Sequence, residues 1–522
     1  MRRLRTAPKI LIPALLLGFA AFWGVIDLTD PPGPGLDPDA LAYLGAATSL
    51  AHGHGLRVPS SAWESNDSTA PLVHFPPGFP ATIALGIATG ATPRNAARFV
   101  EATAGAVMVV AVILAANAAG GVVAAVAVLG IVVGTPAMFV VHASVLSEPL
   151  FLALLALFVL QMARERRGKD MKRTLVLGAI AAAATLVRYA GVSLVVAVVF
   201  EAWWSVDGSW LGTWRERARR AFVAAELPVV ALVIWMISRP HSESAEKIRD
   251  VGLYTIGFGA TILGGLHTAS VWLAPGVNSD AARIMAATAV FAAIVALVVR
   301  TVRAARHGAV PQSELRLYRA TAITLFSYAL VVTASRLVAD PGIPLDDRML
   351  APVFLIVALR AGVALAAFWR ASFFSHRGVV LLTIGITASW IWGSEDVTAG
   401  RVADFHADGG DLAGHEWSAS PLVAWAAHAA PGTPLYSNWP AAVWFHTARA
   451  THELPSDLDA NTVRDFRAKI EREHGALLAF TVRAEDYAAP DSLAALAGLV
   501  AVERWPDGTV WRAPADTAKV RP

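Results

Sequence analysis

The sequence contains no cysteine and little charge, and no signal-type cleavage site follows its basic, apolar start. Without cysteine the chain makes no disulfide and offers no thiolate to a metal, although this says nothing about compartment. Only 16% of its 522 residues are Asp, Glu, Lys or Arg, against 56% hydrophobic, and the mean hydropathy is +0.53. Soluble domains carry about 25% charged residues, so that class is excluded and a bilayer is implied. The net charge is just +3, with Lys and Arg bunched between apolar runs. Loops of that kind face the cytoplasm, which argues against a nucleic-acid partner. Internal repeats and low-complexity tracts are also missing.

What is present is a series of apolar runs near the roughly 20 residues that a spanning helix needs. Three basic loops are expected inside. They hold Arg164, Arg166, Arg167, Lys169, Lys172 and Arg173; then Arg215, Arg217, Arg219 and Arg220; then Arg300, Arg303, Arg306, Arg316 and Arg319. Residues 27–78 carry Arg57 against six acids, so this first large loop is expected outside. The block 174–204 joins two inner loops and must cross twice, with a break near Arg188 at the outer end. The same parity predicts eleven spans, near 10–26, 97–117, 121–140, 148–163, 174–187, 189–204, 221–237, 283–300, 318–335, 349–368 and 378–393. Segments 79–91 and 253–273 read as interfacial or re-entrant. The N-terminus is expected inside, after an uncleaved first span, and everything beyond about residue 394 outside.

The last part changes character, with shorter apolar runs and more His, Asp, Arg and Pro. Strands are expected at 432–438 and 476–482, a helix at 462–474, and a hairpin over 500–513 turning at Pro506-Asp507-Gly508. The fold class is therefore mainly α: a polytopic membrane helix bundle, residues 1–393, followed by a small extracytoplasmic α/β domain, residues 394–522.

This topology gathers polar residues at the outer ends: Asp37, Asp39 and Tyr43; His52, His54 and His74; His142 and Glu148; Arg188 and Tyr189; Asp346, Asp347 and Arg348. In "LDPDALAYL", Asp37 fits an N-cap with Pro38 at the first helical position, and Asp39 falls in the first turn, where the helix dipole favours an anion. Tyr43 shares a helical face with Asp39. Glu148, in "SVLSEPLF", also fits a helix start. Arg188 within an apolar block requires water, an anion or a carboxylate. Arg348 suits either a neighbouring Asp or a phosphate. The histidines of "AHGHG" together with His74 leave a divalent metal open, without strict ligand spacing.

Four stretches, in order, resemble bacterial membrane glycosyltransferases of the GT-C type, the superfamily of protein O-mannosyltransferases and lipid A aminoarabinose transferases. They are "DPDALAYLGAATSLAHGHGL", "HFPPGFPATIAL", "SVLSEPLFLALLALFVL" and "TLVRYAGVSLVV". "RMLAPVFLIV" is similar to the later Arg-x-Leu-x-Pro segment of that superfamily, and "GTPLYSNWPAAVWFHT" to its outer C-terminal domain. The resemblance implies a polyprenyl-phosphate sugar donor, an extracytoplasmic acceptor, inversion at the anomeric carbon, and residence in the inner membrane of the cell envelope. It places catalysis at Asp39 and Glu148, and substrate binding at Tyr43, His74, Arg188, Tyr189 and Arg348. No second acidic pair of the metal-holding kind aligns, so metal dependence stays open.

Two other classes are weighed. A transporter or flippase places ionisable groups near the bilayer midplane, often within two similar halves. Here Glu201 and Glu226 read as the only acids near spans, both close to inner ends, and no repeat is visible. A non-catalytic scaffold is opposed only by the retained Asp39, Glu148 and Arg188.

Overall fold

Apolar runs that lack water must close their backbone hydrogen bonds internally, which in a single run means a helix. The computed structural model describes residues 7–164, 171–203, 213–238, 254, 257–277, 279–306, 310–338, 342–372, 377–482, 484 and 487–514, and is mainly helical. Arg166, Arg167 and Lys169 of the first basic loop lie outside the described residues.

The chain begins with α1 (Ala7–Leu28), followed by α2 (Pro38–Ala51), β1 (Arg57–Val58), β2 (Ser60–Ser61), β3 (Ala70–Pro71) and α3 (Gly78–Ala88). Next come α4 (Pro93–Gly120), α5 (Val122–Val133), α6 (Pro136–Ala143) and α7 (Glu148–Ala163). A 3-10 turn, Tyr189–Gly191, separates α8 (Met171–Val187) from α9 (Val192–Trp203). Longer helices follow: α10 (Trp214–Ser238), α11 (Phe258–Leu273), α12 (Asp280–Arg306), α13 (Gln312–Val338), α14 (Asp347–Ser372) and α15 (Arg377–Asp408). The chain then alternates through α16 (His415–Ser418), α17 (Pro421–His428), β4 (Leu435–Ser437), α18 (Pro440–Thr447) and β5 (Thr451–His452). It ends with α19 (Ala460–Arg472), β6 (Ala476–Phe480), α20 (Pro490–Leu496), β7 (Val500–Trp505) and β8 (Gly508–Arg512).

Two compact units result. One comprises Met1–Leu28, Arg98–Met236 and Arg249–Phe405; the other comprises Thr29–Ala97, Ile237–Ile248 and His406–Pro522.

In the first unit the described apolar runs fall mostly on helices, without confirming a count of eleven spans. Among the described residues, five helices are long and apolar enough to cross a membrane: Lys9–Leu28, Pro93–Gly120, Trp214–Ser238, Gln312–Val338 and Asp347–Arg370. A sixth is added if α5 and α6, bent by 60°, count as one span. The helices α7, α8 and α9 fall short of that length because charge or a turn interrupts the apolar sequence. α1 and α10 turn Leu16, Phe19, Ile234 and Ile237 outward, which water would penalise and lipid does not. Within the bundle, α5 packs on α14, α7 on α8, and α13 on α9 and α7. The chain reverses at Gly191, where a Cβ would lie 2.3 Å from the Ala184 backbone; only glycine lets α9 start so close to α8.

In the second unit six strands form one sheet in the order β2-β5-β4-β6-β8-β7. The first four are mutually parallel, and β8 pairs antiparallel with both β6 and β7. The hairpin joins Trp505 to Gly508. α19 presents Val463, Phe466 and Ile470, at helical spacing, to a core with Tyr436, Leu477 and Leu493. Its N-cap Asp459 accepts the Asn461 and Thr462 amides, and the Thr462 hydroxyl and both amides hold its carboxyl at about 2. A smaller core, Ala46, Val58 and Leu72, lies between α2 and the β1–β3 pair.

Candidate active site

In the membrane-helical unit the charged residues converge on Glu148. Its side chain is 2% exposed and its two oxygens meet different arginines: Oε2 lies 2.7 Å from Arg188 Nη1, and Oε1 lies 2.8 Å from Arg348 Nε. The partners come from three helix ends: the start of α7, the α8–α9 break and the start of α14. Arg188 keeps 18% of its side chain exposed and Arg348 27%. Glu148 is thus shared by two guanidiniums, and solvent reaches both of them.

Local chemistry explains each placement. Arg188 has extended backbone at the end of α8, so its side chain leaves the helix axis; its Nη1 also donates to the Ser147 hydroxyl at 3.1 Å. Asp346 caps α14 by accepting the Met349 amide at 2.9 Å, and Asp347 accepts Trp272 Nε1 at 2.6 Å. The Tyr328 hydroxyl donates to the Met349 carbonyl at 2.8 Å. Asp346 and Asp347 thereby shape the turn that presents Arg348, whose carboxylate partner Glu148 lies 200 residues earlier. The Tyr189 hydroxyl accepts from Trp235 Nε1 at 3.2 Å.

One buried acid near Glu148 escaped the sequence reading. Glu101 lies inside α4, fully buried, and its Oε1 accepts the Leu146 amide at 2.8 Å, two residues before Glu148. Glu201 and Glu226 are therefore not the only acids near spans. An acid within the apolar run 97–117 was the available signal. Among the described residues, the buried Glu101 Oε2 and His142 Nε2 find no hydrogen-bond partner. The His142 ring lies over Gly105, one turn further along α4.

In the second unit Asp37 caps α2 by accepting the Ala40 amide at 2.7 Å, with Pro38 opening the helix and Asp39 in its first turn. Asp39 is partly exposed. Tyr43 on the same helix is 2% exposed, its ring 4.8 Å from Phe75 and 5.0 Å from Phe79, so that ring belongs to the core. His74 is half-buried with its ring edge-on to Phe75. The His52 ring turns back to the Thr48 carbonyl, and His54 is exposed. Among the described residues no three His, Asp or Glu side chains group as metal ligands would.

Fold and site together define a polytopic, mainly helical membrane protein with a buried carboxylate between two part-exposed arginines. The chain resembles ArnT from Cupriavidus metallidurans bound to undecaprenyl phosphate, with a TM-score of 0.52 and 15% identity over 96% of this chain and 97% of that one. Apo ArnT from the same organism gives a TM-score of 0.53 and 16% identity, covering 98% and 99% of the two chains. The oligosaccharyltransferase AglB of Archaeoglobus fulgidus, in complex with an inhibitory peptide and a dolichol-phosphate, gives 0.52 and 11% identity, covering 91% of this chain and 69% of that one. The chain thus shares its fold with ArnT and AglB, both GT-C glycosyltransferases. No protein-family model matches the sequence, and no curated protein matches it significantly.

Proposed function

We propose that the protein is an inverting glycosyltransferase that moves a sugar from a polyprenyl-phosphate donor to an extracytoplasmic lipid, glycan or protein. The observation that carries this reading is the Glu148 triplet: one buried carboxylate aligns two part-exposed guanidiniums brought from distant segments. The fold shared with ArnT bound to undecaprenyl phosphate supports a lipid phosphate as the anion concerned.

Asp39 is the proposed general base. It takes the proton of the acceptor hydroxyl or amine while that atom forms a bond to the anomeric carbon. The bond from that carbon to the phosphate oxygen breaks, and the electron pair leaves with the polyprenyl phosphate. The leaving phosphate gains a negative charge as it departs. Arg188 and Arg348 stabilise that charge where it develops, and Glu148 keeps their donors oriented. The donor phosphodiester is less charged than the phosphate produced, so the same contacts favour the transition state over the bound donor. Tyr189 and His74 are assigned to substrate contacts, while Tyr43 braces the helix of Asp39.

The proposed topology has eleven spans in the inner membrane, with the N-terminus inside and residues 394–522 outside. In this cysteine-free chain, Arg464→Cys should react with an impermeant thiol reagent in intact cells and Arg164→Cys should be protected; the opposite pattern defeats it.

Asp39→Asn should lose transfer by at least about a hundredfold, within the range given for general base catalysis, while still binding polyprenyl phosphate. Normal transfer by this variant refutes the base assignment. Accumulation of a lipid-linked sugar in a deletion strain, read by mass spectrometry, would identify the donor.

A further inference from the structure

The helix carrying Asp39 is held at both ends of its local structure by residues from Gly410 onward. Just before α2, Leu36 bridges to Asp411: its amide donates to the Gly410 carbonyl at 3.3 Å, and its carbonyl accepts the Leu412 amide at 2.9 Å. Arg94 donates to the Pro32 carbonyl at 3.0 Å while lying over the Phe445 ring of α18. The start of α2 is therefore fixed by residues 410–412 and by α18.

The second hold runs through residues 57–66. Pro59 packs against α2 at Gly45, where a Cβ would lie 2.4 Å from the proline ring. Val58 joins the core beneath α2. The next two residues are β2, the edge strand of the C-terminal sheet, in register Ser60↔Thr451 and Ser61↔His452. The Ser61 hydroxyl lies 3.0 Å from His452 Nδ1, both buried, and Tyr436 of β4 stacks on His452. Beyond β2 the chain meets the buried Lys469 of α19. Its ammonium donates to the Ser65 carbonyl at 2.8 Å, the Glu64 carbonyl at 3.3 Å and Asn66 Oδ1 at 3.4 Å, and it pairs with Glu473 at 3.1 Å. A two-residue strand supplies little pairing energy by itself, so these side-chain contacts decide whether the loop stays on the sheet. Once the loop leaves, the buried ammonium keeps its pair with Glu473 but loses its three contacts to the loop.

We propose that the C-terminal sheet is a positioning element for Asp39, with Lys469 the positioning residue that keeps the first outer loop on it. The inference rests on the reading of Asp39 as base. It goes beyond that reading by giving the sheet a role within catalysis instead of that of a separate accessory domain. A carboxylate displaced by about an ångström loses on the order of a hundredfold in rate, whereas the phosphate contacts at Glu148, Arg188 and Arg348 belong to other elements.

The test uses the full chain. Lys469→Met should lower turnover at saturating donor by roughly tenfold or more and leave the binding constant for undecaprenyl phosphate unchanged. It should also speed hydrogen exchange of the amides of residues 40–47. Oxidised Ser60→Cys with Thr451→Cys, added to Lys469→Met, should restore both turnover and protection, and reductant should remove the rescue. A control cross-link, Arg504→Cys with Thr509→Cys, ties β7 to β8 without touching the loop and should rescue neither. Equal rescue by both cross-links reduces Lys469 to general stability and overturns the proposal. So does unchanged exchange at residues 40–47. Faster exchange with unaltered turnover instead defeats Asp39 as base while the physical coupling stands.

Discussion

Two buried carboxylates in the membrane-helical unit have opposite uses of arginine. Glu201 is paired with Arg173 at 2.7 Å, both side chains are 3% exposed, and Arg173 also donates to the Met162 carbonyl at the end of α7. That pair is electrically balanced, closed to solvent and satisfied by backbone. Glu148 is equally buried, yet it serves two arginines that reach solvent. Burial is the same in both places, and accessible positive charge is what differs. A closed pair stitches helices together, while part-exposed guanidiniums keep their donors within reach of an anion.

Breaking the balanced pair should have the largest effect on stability. Arg173→Ala breaks the buried pair with Glu201, and losing one partner of such a pair costs about 3–5 kcal/mol; thermal unfolding in detergent should show it, with donor affinity per folded molecule unchanged. Arg188→Ala should reverse that pattern. Glu148 retains Arg348, so stability falls less, while the half-saturating donor concentration rises by about tenfold or more, the worth of one charged hydrogen bond of roughly 1.5–3 kcal/mol. An unchanged donor dependence removes Arg188 from the phosphate site.

Glu101 sharpens the comparison, since it braces the turn before Glu148 through the Leu146 amide. Glu101→Leu orphans that amide at a cost of about 1–3 kcal/mol. Glu101→Gln keeps a carbonyl acceptor and should recover most of the loss; equal damage from both would show that the negative charge matters and the hydrogen bond does not.

The smallest effect belongs to the second unit, where burial lowers the pKa of His452 and His446. Burial, then the neighbouring Lys469, pushes His452 below its ordinary value against the opposing Glu473, and burial with Arg94 does the same to His446. A histidine depressed in the folded state binds protons more readily when unfolded. Its stabilising contribution is complete above the ordinary value of about 6.5 and declines as pH falls from there toward the lowered folded value. Acidification from about pH 7.5 to 5 should therefore loosen this unit, read as faster hydrogen exchange in β5, and His452→Gln should reduce the dependence. An increase in protection on acidification contradicts this sign.

Local chemistry was readable wherever a single segment carries it. The apolar runs announce helices, Arg188 marks the place where α8 stops, Asp37-Pro38 opens α2, and Pro506-Asp507-Gly508 turns the final hairpin. The spacing in "DALAY" was equally legible as a shared face, but it could not say that Tyr43 would be enclosed by Phe75 and Phe79. The two-residue strands β2 and β5 have no periodicity to detect. The role of residues 60–61 as the edge of a sheet built mainly from residues 435–512 was therefore invisible.

The sequence by itself determined a membrane-embedded helical chain with acids and arginines at its helix ends. Hydropathy and capping act over a few residues, and each run meets those demands alone. Only the tertiary structure decided which charges meet. A buried ion takes whatever opposite charge packing brings within about 3 Å, and for Glu148 those partners lie 40 and 200 positions further along the chain.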